Sequence, residues 1–360
     1  MEFNATEHQH IRYNPLRGDW VLISPHRLQR PWSGKVDSLQ EELLENDPKN
    51  PLSPGATRPN GAVNPHYEST YVFNNDFPAL LQEVPEPDVD SGDPLFKIAG
   101  AKGSCRVLCF HPKSNITIPL MTVQEIKRII DKWCEELQEL GKHFTWVQIF
   151  ENKGDQMGCS NPHPHCQIWS SSFLPNEPKL KDSNQKAYWQ KYKSVMLLDY
   201  INRELERKER LVEFNDSWVC LVPYWAIWPF ETMLLPRRHI LRLTDLTEDE
   251  RISLADIMKK LTIRYDNLFC TSFPYSMGWH GNLHIYFAYK LGAPTGSLTS
   301  EDNSHWQLHA IYYPPLLRSA TIRKFMVGYE MLAQPQRDLT AEQAADRLRS
   351  VSLTHYKFQS

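Results

Sequence analysis

The sequence predicts an α+β protein made of two related halves, each an antiparallel sheet with flanking helices. Three observations carry this. The order strand, capped helix, strand occurs twice, and each pass closes on a segment alternating histidine with glutamine, His163-Pro-His-Cys-Gln167 and His305-Trp-Gln-Leu-His309. The 360 residues, 41% hydrophobic and 23% charged, suffice for two domains of ordinary globular composition. The expected division is 1–177 and 183–355, connected by the polar stretch Asn176 to Gln190 and a helix running through Arg210.

In chain order, Trp20-Val-Leu-Ile23 reads as a strand, and Arg27 and Arg30 leave its end, where two cations suit an anion or simply form a basic loop. Residues Gly34 to Asn60 and Glu83 to Gly92 are rich in proline, asparagine and acidic residues and read as surface loops. Between them Tyr71-Val-Phe-Asn-Asn-Asp-Phe77 sets a polar triplet between aromatics, which can read a base and ribose or cap a turn. A strand follows at Cys105 to Phe110. The helix after it opens with the capping box Thr122-Val-Gln-Glu125, keeps one apolar face through Leu140 and stops at Gly141. The strand Trp146 to Phe150 leads through Glu151-Asn-Lys-Gly154 to the first histidine segment. The second pass runs Trp218 to Val222, Met233 to Leu235, a helix capped at Thr247-Glu-Asp-Glu250, and the strand His305 to His309.

A net charge of -3 and a pI near 6.5 exclude a general basic footprint, so neither nucleic acid nor a membrane is an expected partner. No run of about 18 apolar residues exists and the first residues lack a signal-peptide order, which gives a cytoplasmic expectation. Seven cysteines without a CxxC pair read as reduced thiols.

The chemistry concentrates in Gly158-Cys-Ser-Asn-Pro-His-Pro-His-Cys-Gln-Ile-Trp169, where His163, His165 and Gln167 fall at alternate positions of an extended stretch and so share a face. Pro164 stiffens the backbone and biases His163 to the extended region. A neutral imidazole can attack phosphorus, provided that a partner holds the other ring nitrogen's proton and an amide or cation meets the phosphate. His165 with Gln167, Ser160 and the two arginines supplies those parts; metal ligation by His163 and His165, or a core role, remains open on the residues alone. No GxSxG elbow, P-loop or GxGxxG occurs.

From Tyr13-Asn-Pro-Leu16 to Thr340-Ala-Glu-Gln-Ala-Ala345, and most specifically from Gly158 to Trp169, the chain resembles the galactose-1-phosphate uridylyltransferases, the nucleotidyl-transferring branch of the histidine-triad superfamily. Ordinary members of that superfamily carry a third histidine at the place of Gln167. The resemblance implies two histidine-triad-like domains, a homodimer, and UDP-glucose and galactose 1-phosphate as substrates, with no cofactor required for the chemistry. It implies a two-step exchange through a uridylyl-histidine at His165. Gln167 would bond the α-phosphate, and Ser160 with the Gly158 and Cys159 backbone would line the phosphate site, with positive charge from Arg27 and Arg30. Asn75 and Asp76, between Phe73 and Phe77, would hold uridine and ribose, with Asn152 nearby. A strand-like Arg323 to Met331 would offer Lys324, Phe325, Tyr329 and Glu330 to the sugar phosphate, with Gln336, across the dimer.

Three departures follow from the same comparison. Some members bind zinc through two cysteines and two histidines; here Asn50, Ser53 and Ser114 stand at three of those positions and only His163 remains, so that metal is expected to be absent and replaced by loop packing. A second structural site, for zinc or iron, uses a glutamate and three histidines; His280 and His309 remain, Lys181 stands at the glutamate position beside Asp182, and Ile311 at the third histidine, which predicts a weak or empty site. Lastly, Asn282 to Leu291 reads as an apolar insertion, either an added edge hairpin or a translated splice remnant. Two other functions compete with uridylyl transfer. One is a histidine-triad nucleotide hydrolase or phosphorylase, the other an inactive UDP-sugar-binding protein; Gln167 and the intact His165 and Ser160 weigh against them.

Overall fold

The computed structural model describes residues 2–29, 44–87, 93–281 and 303–359. Arg30 and the insertion at 282–291 lie outside the described residues, as do parts of both expected surface loops. A hairpin of β1 (His10–Asn14) and β2 (Asp19–Ile23) precedes the first half, which comprises β3 (Tyr71–Asn74), β4 (Gly103–Cys109), α1 (Val123–Leu140), β5 (Trp146–Lys153) and β6 (His165–Ser171). Helices α2 (Asn176–Tyr192) and α3 (Met196–Arg207) cross over. The second half holds β7 (Leu211–Phe214), β8 (Trp218–Leu221), β9 (Thr232–Pro236), α4 (Glu248–Phe269), β10 (Tyr275–His280) and β11 (His309–Tyr313). The chain closes with β12 (Leu316–Ser319), β13 (Ile322–Arg323), α5 (Tyr329–Leu332), β14 (Gln336–Arg337) and α6 (Ala341–Ser350).

Both expected capping boxes form: Thr122 and Glu125 open α1, and Thr247 and Glu250 open α4. Helix α1 ends at Leu140 as expected, although Gly141 stays right-handed at φ -64°. Its stripe of Ile126, Ile129, Ile130, Trp133, Leu137 and Leu140 is buried.

The halves are joined edge to edge in one nine-stranded sheet of order β3-β4-β6-β5-β10-β11-β9-β8-β7. Read outward from the central β5–β10 pair, β6, β4 and β3 on one side mirror β11, β9 and β8 on the other. Helices α1 and α4 cover one face and build the main core with Trp133, Leu234, Leu254 and Tyr265. On the opposite face a single register row runs Phe73, Val107, Gln167, Phe150, Gly278, Ile311, Met233, Leu221. Its second-half end is filled: Ile311, Met233 and Leu221 pack under Leu197 and Ile201 of α3 and under Val21 and Ile23 of the hairpin. The first-half end is open.

Three sequence expectations need correction. Asn176 to Gln190 is not a connector preceding a helix but lies within α2, because polar residues satisfy a helix that buries only a few positions. The closing strand of the second half is His309–Tyr313, and His305 to Leu308 lead into it. There Trp306 is buried against Trp146, and the Gln307 amide donates to the Pro236 and Arg238 carbonyls. Arg323 to Met331 is not a strand. Only Ile322–Arg323 pairs, with β12, and Gly328, at φ +53°, breaks the extended run before the short helix α5.

Candidate active site

Strand β6 alternates as its sequence requires. Cys166 and Ile168 face the helices, where the Trp133 indole N–H donates to Cys166 Sγ at 3.3 Å, while His165, Gln167 and Trp169 are partly exposed on the open face. His163 does not share that face. It precedes the strand and is buried at 1% exposure.

The His165 ring places Nδ1 2.7 Å from the His163 carbonyl oxygen. A carbonyl only accepts, so Nδ1 carries the hydrogen and Nε2 keeps the lone pair. Nε2 has no hydrogen-bond partner among the described residues. Desolvation lowers the ring's pKa below the ordinary imidazole value against the opposing bond from His163, which keeps it neutral. Two residues on, Gln167 Oε1 accepts the Trp169 indole N–H at 2.9 Å. An indole only donates, so the amide orientation is fixed and the Gln167 NH2 group is left to point donors at an anion.

The loop before β6 is built on Gly154 and Gly158, at φ +85° and +73°. Gly158 N–H donates to Asp155 O at 2.9 Å and Cys159 N–H to Gly154 O at 3.2 Å. These two donors close the turn. Ser160 is exposed, and neither its N–H nor its hydroxyl is bonded among the described residues. The loop is held from behind by Asn161 and Asn50, whose amides exchange hydrogen bonds of 2.9 Å, and by Asn161 Oδ1 accepting His163 N–H. Sequence reasoning had not given Asn161 a role.

Register brings the aromatic side in. Phe73 pairs with Val107 and Val107 with Gln167, so Phe73 lies two strand spacings, about 9.6 Å, across the open face. Asn75 continues β3 through its N–H to the Cys105 carbonyl, and its side chain accepts the Phe77 N–H. Asp76 bonds Arg58 at 2.5 Å, and the same guanidinium lies 4.1 Å above the Phe73 ring. Sequence reasoning gives Arg58 no role: no motif marks it, and it meets Asp76, 18 residues on, only through the fold of the intervening loop. On β5, Phe150 faces Gln167, and two residues further along that strand Asn152 Oδ1 accepts the Ser276 hydroxyl at 2.7 Å.

The remaining expected residues lie off the large sheet. Arg27, in a 3-10 turn after β2, donates to Asp338 at 3.2 Å, and Gln336 donates to the same carboxylate at 2.6 Å. Lys324 is ion-paired with Glu330. Arg323 lies 4.7 Å over the Phe325 ring and donates to the Gln156 carbonyl at 3.4 Å, which ties this segment to the loop before Gly158. Phe325, Val327, Tyr329 and Met331 are exposed.

Neither implied metal site fits its residues. The His163 ring is bonded at both nitrogens, to Ser114 Oγ at 2.9 Å and Tyr67 OH at 3.0 Å, and burial, with His165 adding to it, takes its pKa to about 4. Asn50 faces Asn161, and the Ser53 hydroxyl donates to the Asp47 carbonyl. At the other site the Lys181 ammonium donates to His280 Nδ1 at 3.4 Å, and Asp182 turns away to His305 and Trp306 at 2.7 and 2.5 Å. No group of three or more histidine, cysteine, aspartate or glutamate side chains suited to a metal occurs among the described residues.

Residues 1–175 match the family model for the galactose-1-phosphate uridyl transferase N-terminal domain, and residues 181–360 that for its C-terminal domain. The chain is 58% identical to the galactose-1-phosphate uridylyltransferase of Rattus norvegicus over 98% of this chain and 90% of the relative. Against the enzyme of that name from Haemophilus influenzae it is 56% identical over 99% and 98%. Among solved structures, a uridylyltransferase superposes with a TM-score of 0.71 at 24% identity, covering 95% of this chain and 97% of the other. An ADP-glucose phosphorylase from Arabidopsis thaliana superposes with a TM-score of 0.73 at 18% identity, covering 97% and 100%. These two likenesses concern the fold.

Proposed function

The chain belongs to the galactose-1-phosphate uridylyltransferase family, and from that premise we propose that it transfers UMP between two hexose phosphates through a covalent histidine intermediate. The activity is uridylyl transfer in galactose metabolism, catalysed by a nucleotidyltransferase. His165 Nε2 attacks the α-phosphorus of UDP-glucose; an N–P bond forms, the P–O bond to the β-phosphate breaks, and glucose 1-phosphate leaves. A phosphate oxygen of galactose 1-phosphate then attacks the same phosphorus, the N–P bond breaks, and UDP-galactose forms. The observation that carries this reading is the Nδ1 bond to the His163 carbonyl, which leaves the Nε2 lone pair on the open face beside the free amide donors of Gln167. Those donors meet the charge on the α-phosphate oxygens.

Phe73, Asn75 and Asp76, with Arg58 behind them, suit a uracil ring and ribose, and Ser160 suits the phosphate. The pairing of Lys324 with Glu330, and of Arg27 and Gln336 with Asp338, suits groups that exchange these internal partners for a sugar phosphate. The exposed Phe325, Val327, Tyr329 and Met331 support a homodimer that buries this segment. Residues 1–177 and 183–355 act as two domains sharing one sheet, and seven unpaired cysteines fit a cytoplasmic location. No helix among the described residues is long and apolar enough to cross a membrane.

The test is incubation with UDP-glucose alone, followed by intact mass and glucose 1-phosphate release. A uridylyl adduct that His165→Ala abolishes is expected. Turnover to free UMP without an acceptor would indicate a hydrolase instead, and binding without either product would indicate an inactive UDP-sugar-binding protein.

A further inference from the structure

Lys181, on α2, is buried at 3% exposure and has no carboxylate partner among the described residues. Its ammonium reaches His280 Nδ1 at 3.4 Å, and the His280 ring stacks on His309 with centroids 5.3 Å apart. His309 Nδ1 is engaged by the Gln307 carbonyl, while its Nε2 is buried without a partner. The side chain two residues on, Ile311, packs into the apolar cluster under α3. A cluster of one cation and two imidazoles, with Lys181 and His309 buried and His280 half-buried, therefore joins the crossover helix to β10 and β11.

We propose that Lys181 closes the His280–His309 pair as an internal cation, its ammonium standing where a divalent metal would otherwise join α2 to the two strands. Zinc and iron(II) need several basic ligands converging on one point. Here one of the two available imidazole nitrogens already accepts from Lys181, and Asp182, the nearest carboxylate in sequence, is held by His305 and Trp306. A divalent ion entering this space would meet a fixed positive charge with little water to screen it. The same charge supplies from within the chain the link between helix and strands that a metal supplies from outside.

The experiment compares the full chain with Lys181→Glu after incubation with zinc and dialysis, reading metal content and melting temperature. The parent is expected to retain no zinc at this site and to melt at the same temperature with or without EDTA. Lys181→Glu should gain about one equivalent per chain and a melting temperature that EDTA lowers, both lost when His309→Ala is added. Should Lys181→Glu fail to fold, Lys181→Ala makes the same comparison by vacating the space. Zinc retained by the parent and lost in His309→Ala would overturn the proposal, as would a failure of both Lys181 variants to bind more zinc than the parent.

Discussion

His309 holds in the second half the station that His165 holds in the first. Each opens the strand next to a central strand, β11 beside β10 and β6 beside β5, and each ring directs Nδ1 to the carbonyl two residues back, at 2.9 Å and 2.7 Å. Their surroundings separate them. His309 is fully buried against His280 with Lys181 nearby, whereas His165 opens onto an unfilled sheet face. A duplicated topology thus offers two imidazole stations, and packing by α2, α3 and the hairpin leaves the first of them on an open face.

The pH dependence of the first half-reaction follows from the His165 environment. Desolvation lowers the ring's pKa, so the reactive neutral form persists below the ordinary value of about 6.5. The acid limb of kcat/KM for UDP-glucose should fall below that pH. A limb centred above it would overturn the desolvated environment assigned to His165.

In the proposed reaction Trp169 positions Gln167, whose Oε1 accepts the indole N–H. Trp169→Phe removes the one indole donor that orients the amide and should lower kcat roughly 5- to 10-fold, the worth of about 1 kcal/mol. Gln167→Glu places negative charge against the phosphate and should cost on the order of 100-fold or more. Single-turnover adduct formation separates these effects from binding.

Arg58→Met would leave the Asp76 carboxylate without its partner and strip the cation from Phe73. The expected result is a KM for UDP-glucose raised about 10-fold, with a smaller change in kcat, corresponding to one charge-assisted contact. An unchanged KM would place uridine recognition elsewhere.

Glu342 ties α6 to the rest of the molecule: Arg12 donates to both carboxylate oxygens at 2.9 and 3.0 Å, and Arg210 donates at 2.6 Å. Burial opposes ionisation, yet these bonds hold the carboxyl down at about 2. Because the folded pKa lies below the unfolded one, the stabilisation is complete above about pH 4.5 and is lost as pH falls toward 2, at about 1.4 kcal/mol per unit. Glu342→Gln should destabilise the protein at pH 7 by roughly 3 kcal/mol in urea titration, and the acid dependence of the midpoint should weaken between pH 4.5 and 3.

What the sequence determined by itself was local and periodic. Alternation placed His165 and Gln167 on one face of β6, the two capping boxes began α1 and α4, and the strand-helix-strand order announced the duplication. Such signals survive because strand and helix periods dictate which side chains are neighbours within a few residues. The tertiary structure decided what depends on partners outside the local repeat: Arg58 over Phe73 and paired with Asp76, Tyr67 and Ser114 on His163, and Arg27 on Asp338. It also ended the second histidine strand's approach at Leu308 and kept Arg323 to Met331 from being a strand. Above all it decided which of two similar sheet faces stayed open, because the filling of a face depends on how α2, α3 and the hairpin pack from elsewhere in the chain, and no local pattern encodes that.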